Sequence, residues 1–445
     1  MAIGAAVALS AVQVFVIPRR LDVTTYGQYR QFLLFVNYLG LVGFGLSEGA
    51  FLRWAGRRSG EIAWEWRVVA RWMVALQLGI VAISAVVSIF VDPLLRIYIL
   101  AVVVCALCVN CNALCVYALQ AAGDFRRAGR VVTITPGLFV GAVVVFSPTT
   151  LVAILAAYVG AFLIAAAYGF VCLLRFTLET PTESADLTIR QLATAGLPVL
   201  VSSVAAGLSQ SVDRILVNRI TPITSFALYG FAGTAAIAAN SAVQALSRVA
   251  LSHAAHRTPA QRSHFLGGFF HVIALGYGAG LLFEPLFEEV VVRYLPLYVP
   301  ALPILRAFTF GLPVWVGLRV VVVSTLQSHG HVRRQLAVEL VGVVLVTLMS
   351  GALLLAKRDL WEVAAASSAA AVVTLLVAHS ITRRAEESAS QQQVLRFILI
   401  VGAQGAALFI ALSLTPAWPL RCVAYALMSS VPTAISAYKV RRHGW

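Results

Sequence analysis

The sequence predicts an all-α polytopic membrane protein of about 14 transmembrane helices, built as two six-helix pseudo-symmetric lobes plus two C-terminal helices. Three observations carry this. Of the 445 residues, 60% are hydrophobic and 11% charged, with a mean hydropathy of +0.89, whereas soluble domains run at roughly 45–50% apolar and 25% charged. Apolar runs of about 20 residues, each long enough for a hydrocarbon layer of roughly 30 Å, alternate with short loops rich in Arg or Pro. The third observation is internal: the second half of the chain repeats features of the first.

The runs fall at 3–17, 29–50, 68–91, 94–118, 130–147, 150–175, 195–217, 226–249, 266–284, 302–327, 335–356, 361–382, 395–414 and 419–438. The first has neither a basic n-region nor an A-x-A cleavage site, so it reads as a retained helix and not a signal peptide; a longer true N-terminus stays open. An even number of spans puts both termini on one side. With both in the cytoplasm, most of the 33 Lys and Arg lie in inner loops or at inner helix ends, among them Arg53, Arg57, Arg126, Arg127, Arg333, Arg334, Arg383 and Arg384, as the positive-inside bias requires. The net charge of +15 is then explained by loops facing anionic lipid. Nucleic acid is not needed as a partner, and no aromatic-basic module is visible.

Cys105, Cys108, Cys111 and Cys115 follow the C-x2-C-x2-C-x3-C spacing of iron–sulfur ligands. They sit inside the apolar run AVVVCALCVNCNALCVYAL, on one face of a helix, where free cysteines act as small packing residues. No metal or other cofactor is expected. His253, His256 and His264 share an inner loop at spacings that match no zinc signature.

A shift of 200 residues superimposes Arg19, Val23, Thr24, Thr25, Tyr26, Gly27, Tyr29 and Arg57 on Arg219, Ile223, Thr224, Ser225, Phe226, Ala227, Tyr229 and Arg257. Further on, Asp92-Pro93-Leu94 pairs with Glu284-Pro285-Leu286, and the loop from Leu119 to Arg127 pairs with that from Leu326 to Arg334. Each copy holds six spans, so the copies share one orientation and are related by an axis along the membrane normal. The expected division is a first lobe at 1–176, a cytoplasmic linker at 177–190, a second lobe at 191–385, and spans 13 and 14 within 386–445. Two parallel lobes around a central cavity are transporter architecture.

Polar residues inside the spans mark that cavity, because a charge at the centre of a span costs roughly 2.5–3.5 kcal/mol unless it meets water or a partner. Arg30, Asn37 and Glu48 are spaced to share one line of a continuous helix. Ser202, Ser209 and Asp213, at spacings of 7 and 4, likewise fall on one face of span 7, with Gln210 beside them, and Asn240 and Gln244 lie on one sector of span 8. Arg319 stands alone in span 10. As a substrate-binding set, Arg30, Asn37, Glu48, Ser209, Gln210, Asp213, Asn240, Gln244 and Arg319 supply guanidinium groups for an anion and amides and hydroxyls for a polar cargo. The plain alternative is interhelical hydrogen bonding; for Asp213, beside Arg214, it is anchoring at a helix end. Gly276 and Gly280 form a G-x-x-x-G that permits close helix contact. No nucleophile motif, phosphate loop or metal box is present, and the outer loops are mostly under about 15 residues, so no enzyme is expected.

The run Pro18-Arg19-Arg20-Leu21-Asp22-Val23-Thr24-Thr25-Tyr26-Gly27-Gln28-Tyr29, then Gly43-Phe44-Gly45-Leu46 and Arg53, resembles the opening of the Wzx-type polysaccharide transporters, flippases of the MATE-containing MOP exporter superfamily. Gly196-Leu197-Pro198, the Asp213-Arg214 pair and the stretch from Pro285 to Arg306 extend the resemblance over almost the whole chain. It implies a MATE-like fold in the bacterial inner membrane. It also implies an alternating-access flippase for undecaprenyl-diphosphate-linked oligosaccharide in surface polysaccharide biosynthesis, coupled to an H+ or Na+ gradient, with Glu48 and Asp213 as the coupling carboxylates. A polysaccharide polymerase and the membrane lipids are the further partners implied. A lipid II flippase or a cation-coupled small-molecule exporter of the same superfamily is the nearest alternative. A membrane glycosyltransferase or polymerase is the reading from another class.

Overall fold

The computed structural model describes residues 2–55, 57, 59–175, 188–236, 259–323, 326, 331–383, 391–414 and 417–442. All regular structure among them is helical. Contacts divide the chain into two units, Met1–Leu208 and Ser209–Trp445.

The first unit contains α1 (Ala2–Arg20), α2 (Val23–Val36), a 3-10 turn at Leu39–Gly43, α3 (Leu46–Trp54), α4 (Ser59–Ser88), α5 (Pro93–Ala121), α6 (Phe125–Phe146), α7 (Leu151–Leu174) and α8 (Ile189–Ser209). Local chemistry sets several of these limits. Asp22 caps α2 by accepting from the Thr24 and Thr25 N–H groups at 3.0 and 3.1 Å. The Thr25 side chain and these N–H donors hold the Asp22 carboxyl below its usual 3.8. Pro93 occupies the first turn of α5. Gly123, at φ +77, turns the chain into α6, which Asp124 caps at the Arg127 N–H, 3.0 Å away.

Helix α5 is central to this unit, packing on α4, α6 and α7. Its four cysteines are buried, and a Cβ on Gly169 of α7 would come within 2.8 Å of the Cys115 Cβ. The sulfur row is a packing surface, as its apolar context implied. Helix α8 also packs within this unit. Gly196 and Gly49 lie so near the backbones of Gly45 and Leu192 that a methyl on either would collide with a carbonyl oxygen. The contact boundary at 208 therefore falls after α8, the helix with which the repeat begins its second copy.

The second unit contains α9 (Val212–Ile220), α10 (Ile223–Ala236), α11 (Pro259–Leu281), α12 (Glu284–Tyr294), a 3-10 turn at Pro296–Ala301 and α13 (Leu302–Gly317). A π-helical stretch, Leu318–Val323, then leads to α14 (Val332–Leu355), α15 (Leu360–Arg383), α16 (Gln391–Leu414), α17 (Trp418–Met428) and α18 (Ser430–Arg442). Helix α15 packs on α13 and α14, and α11 on α16 and α18. The duplication is visible in the helix starts: α2 and α10 begin 200 residues apart, while α6 and α14 begin 207 apart.

Ten helices among the described residues are long and apolar enough to cross a membrane, or up to twelve if each bent pair is one crossing. The chain is a multi-pass membrane protein. The fourteen expected spans exceed that count by α1 and by the span through α10, of which the described part is Ile223–Ala236. Among the described residues three expected spans are broken, the seventh (195–217) into α8 and α9. The second becomes α2 and α3, bent by 60°, and the last becomes α17 and α18, bent by 55°.

Candidate functional site

The break in the second span removes the line on which Arg30, Asn37 and Glu48 were placed. Phe44 and Gly45 take positive φ values of 50° and 76°, conformations that end one helix and start another. Arg30 stays on α2, Asn37 becomes its exposed C-terminal cap, and Glu48 sits in the first turn of α3. Unwinding frees carbonyl groups that lipid cannot satisfy, and two amides meet them. Asn110 on α5 donates to the Leu39 carbonyl at 3.0 Å, and Gln77 on α4 donates to the Val42 carbonyl at 3.0 Å. Gly43 makes room for this, because a Cβ there would lie 2.7 Å from Asn110 Oδ1. Sequence reasoning passed over Asn110 and Gln77. The signal available was an amide deep inside a largely apolar run, Gln77 in one and Asn110 beside Asn112 in the other.

Arg30 itself is half-buried among aromatic rings. Tyr29, Phe32 and Phe139 pack on Tyr158, with ring centroids 6.4, 5.7 and 5.1 Å away. The Arg30 Nε is buried and has no hydrogen-bond partner, and no acidic side chain pairs with it among the described residues. Glu48 is half-buried and likewise takes part in no ion pair or side-chain hydrogen bond there.

In the second unit the expected polar residues separate into two groups. Asp213 is buried at the first turn of α9, where the helix N-terminus favours a negative charge. Its carboxylate accepts from the Tyr229 hydroxyl and the Arg214 N–H, each at 2.8 Å, which ties α9 to α10. The Arg214 guanidinium lies over the Phe308 ring, 5.9 Å from its centroid. Gln210, Asp213 and Arg214 line a small pocket of about 50 Å³ with Phe308 and Ser368. The other group is an ion pair that the sequence reading missed. Arg319 lies 2.9 Å from Glu339 on α14, and the Ser209 hydroxyl donates to that carboxylate at 3.0 Å. Arg319 was expected to meet a substrate anion; Glu339 already neutralises it. A lone glutamate in the run Val332–Leu355 was the visible signal. Asn240 and Gln244 lie outside the described residues.

A second ionic cluster also escaped the sequence reading. Arg306 on α13 pairs with Glu288 on α12 and lies 3.6 Å from Glu284, while Arg421 on α17 reaches Glu288 at 2.9 Å. Among the described residues no group of three or more His, Cys, Asp or Glu is placed to hold a metal ion.

Broken, glycine-adjusted spans with buried ionic residues define a class, the polytopic helical membrane proteins. The whole-chain comparison agrees. A solved structure, "Lipid II flippase MurJ, inward closed conformation", superimposes with a TM-score of 0.69 at 11% identity, covering 99% of this chain and 98% of that one. An inward-facing multidrug resistance MATE family transporter of the MOP superfamily superimposes with a TM-score of 0.61 at 14% identity, covering 87% and 96%. At these identities the likeness is one of fold. No curated protein sequence matches. The profile of the polysaccharide biosynthesis protein family matches residues 1–252. The chain belongs to that family, as its opening residues implied.

Proposed function

We propose that this chain is a flippase that carries undecaprenyl-diphosphate-linked oligosaccharide repeat units across the bacterial inner membrane, by alternating access and with both termini cytoplasmic, for O-antigen, capsule or exopolysaccharide. The observation that carries the reading is Arg30, a half-buried guanidinium in a membrane helix without an acidic partner among the described residues. Such a charge is costly in a span, and a diphosphate that accepts two parallel N–H bonds offsets the cost. The family match supports polysaccharide biosynthesis as the setting, and a polysaccharide polymerase is the partner that takes the delivered glycan.

Coupling to an H+ or Na+ gradient is assigned to Glu48 in preference to Asp213. Asp213 is held by two donors, whereas Glu48 has no side-chain partner among the described residues. The test is purified protein in liposomes with a lipid-linked oligosaccharide, and a glycan-cleaving enzyme confined to one side. Accelerated glycan exposure that falls with Arg30→Ala supports the reading. Acceleration of lipid II alone, or no acceleration under any imposed gradient, would overturn it.

A further inference from the structure

The second unit contains a cavity of about 430 Å³ walled by α10, α11, α12 and α13, within the roughly 300–1,000 Å³ of small-molecule sites. Two glycines create it. Gly276 and Gly280 stand one helical turn apart on α11, and a Cβ at either would meet no atom within 4 Å. Their G-x-x-x-G spacing therefore serves the cavity, not the close helix contact that the sequence suggested. Gly278 is the one that packs: a Cβ there would lie 2.5 Å from Gln404 Nε2.

The remaining wall is mostly apolar, with Phe269, Phe287, Leu305 and Val316 on it, and among the described residues no Lys or Arg lines the space. Two buried polar groups line it, Tyr277 and Glu284. The Tyr277 hydroxyl has no hydrogen-bond partner, and the Glu284 carboxylate, 3.6 Å from Arg306 and next to the Glu288 carboxyl, is within hydrogen-bond distance of no N–H donor among the described residues. These residues are 8% and 7% exposed, and burying such groups without a partner is costly. The charges behind Glu284 are balanced, because Glu284 and Glu288 face Arg306 and Arg421. An added cation would break that balance, and an anion would meet a carboxylate.

We infer that this cavity is a binding site for a neutral amphiphile, a hydrocarbon body that fills the space beside Gly276 and Gly280 with a hydrogen-bond-donating head, such as a long-chain alcohol, on Glu284 and Tyr277. The site is separate from the anion site assigned to Arg30 and does not depend on the transport reading. The same ligand chemistry can come from a membrane lipid or from an added compound.

The test uses the full-length protein in nanodiscs of defined phospholipid and a diazirine-bearing long-chain alcohol as photoprobe. Saturable labelling concentrated on peptides from α11–α13, and competed by unlabelled alcohol, is expected. Gly276→Leu with Gly280→Leu, which fills the space, reduces it by about tenfold or more. Replacing the probe's hydroxyl by a methyl ether, or by a carboxylate, reduces it by about tenfold in the unaltered protein, the effect of losing one buried hydrogen bond. This second measurement needs no variant and stands if the double substitution fails to fold. Extracting the purified protein and identifying any co-purified neutral lipid separates a membrane source from an added one. Labelling spread evenly over the lipid-facing helices, or unchanged in the folded double variant, overturns the site. Equal labelling by the alcohol and its methyl ether overturns the assigned head.

Discussion

The Arg319 guanidinium lies 2.9 Å from the Glu339 carboxylate, which also accepts the Ser209 hydroxyl at 3.0 Å. Glu339 is 1% exposed at its side chain, so either charge without the other is an uncompensated ion in an apolar unit. Arg319→Ala should cost on the order of 3–5 kcal/mol of stability, and Arg319→Met with Glu339→Leu should recover most of it. Thermal unfolding of the purified protein measures both. A single variant as stable as the parent would contradict the structural role.

Arg30→Ala should do the reverse. With no acidic partner among the described residues to strand, it leaves unfolding within about 1 kcal/mol of the parent. In the liposome assay it loses the charge-assisted bonds to the cargo, worth roughly 1.5–3 kcal/mol, so transport falls about 10- to 100-fold. Arg30→Lys retains charge but not the planar fork and should fall in between. Transport by Arg30→Ala at the parental rate would remove Arg30 from the site.

Asn110→Ala leaves the Leu39 carbonyl of the broken span without its donor and should destabilise by about 1–3 kcal/mol. Gly43→Ala disturbs the same contact from the other side. Its cost should shrink when Asn110 is already alanine, since residues in contact are not additive. A double-mutant cycle on thermal stability decides this; strict additivity would mean that the two do not act on one contact.

Asp22→Ala should cost about 1 kcal/mol at neutral pH through loss of the α2 cap, and Asp22→Asn much less. The folded-state carboxyl is held below 3.8, so the stabilisation is present above the unfolded value and disappears as pH falls through the lower folded value. Comparing the unfolding of parent and Asp22→Ala from pH 7 down to about 3 should show the gap closing only at the acid end. A gap that closes between pH 5 and 7 would point to another group.

Much of this architecture is legible from residue order. The apolar runs locate the helices, and the repeat of Val23–Tyr29 at Ile223–Tyr229 reappears as two helices that begin 200 residues apart. The site was legible only in its residue types. Arg30 was identified, but the line joining it to Asn37 and Glu48 assumed an unbroken helix. Helical periodicity carries no information past a residue in the left-handed region, and Phe44 occupies it without being glycine. Pairing across elements is equally invisible to spacing: Arg319 and Glu339 are 20 residues apart, and Arg421 and Glu288 are 133 apart.

The sequence by itself determined what depends on composition and local order. These are the membrane as solvent, the helical class, the duplication, the caps at Asp22 and Asp124, and membership in the polysaccharide biosynthesis family. Only the tertiary structure decided which buried charges are paired with one another and which are not. It paired Arg319 with Glu339 and left Arg30 without an acid among the described residues. It also turned two glycines of α11 towards open space. The reason is physical: a charge or a missing side chain takes its meaning from what lies within a few ångströms, and in a helical membrane protein those neighbours come from distant parts of the chain.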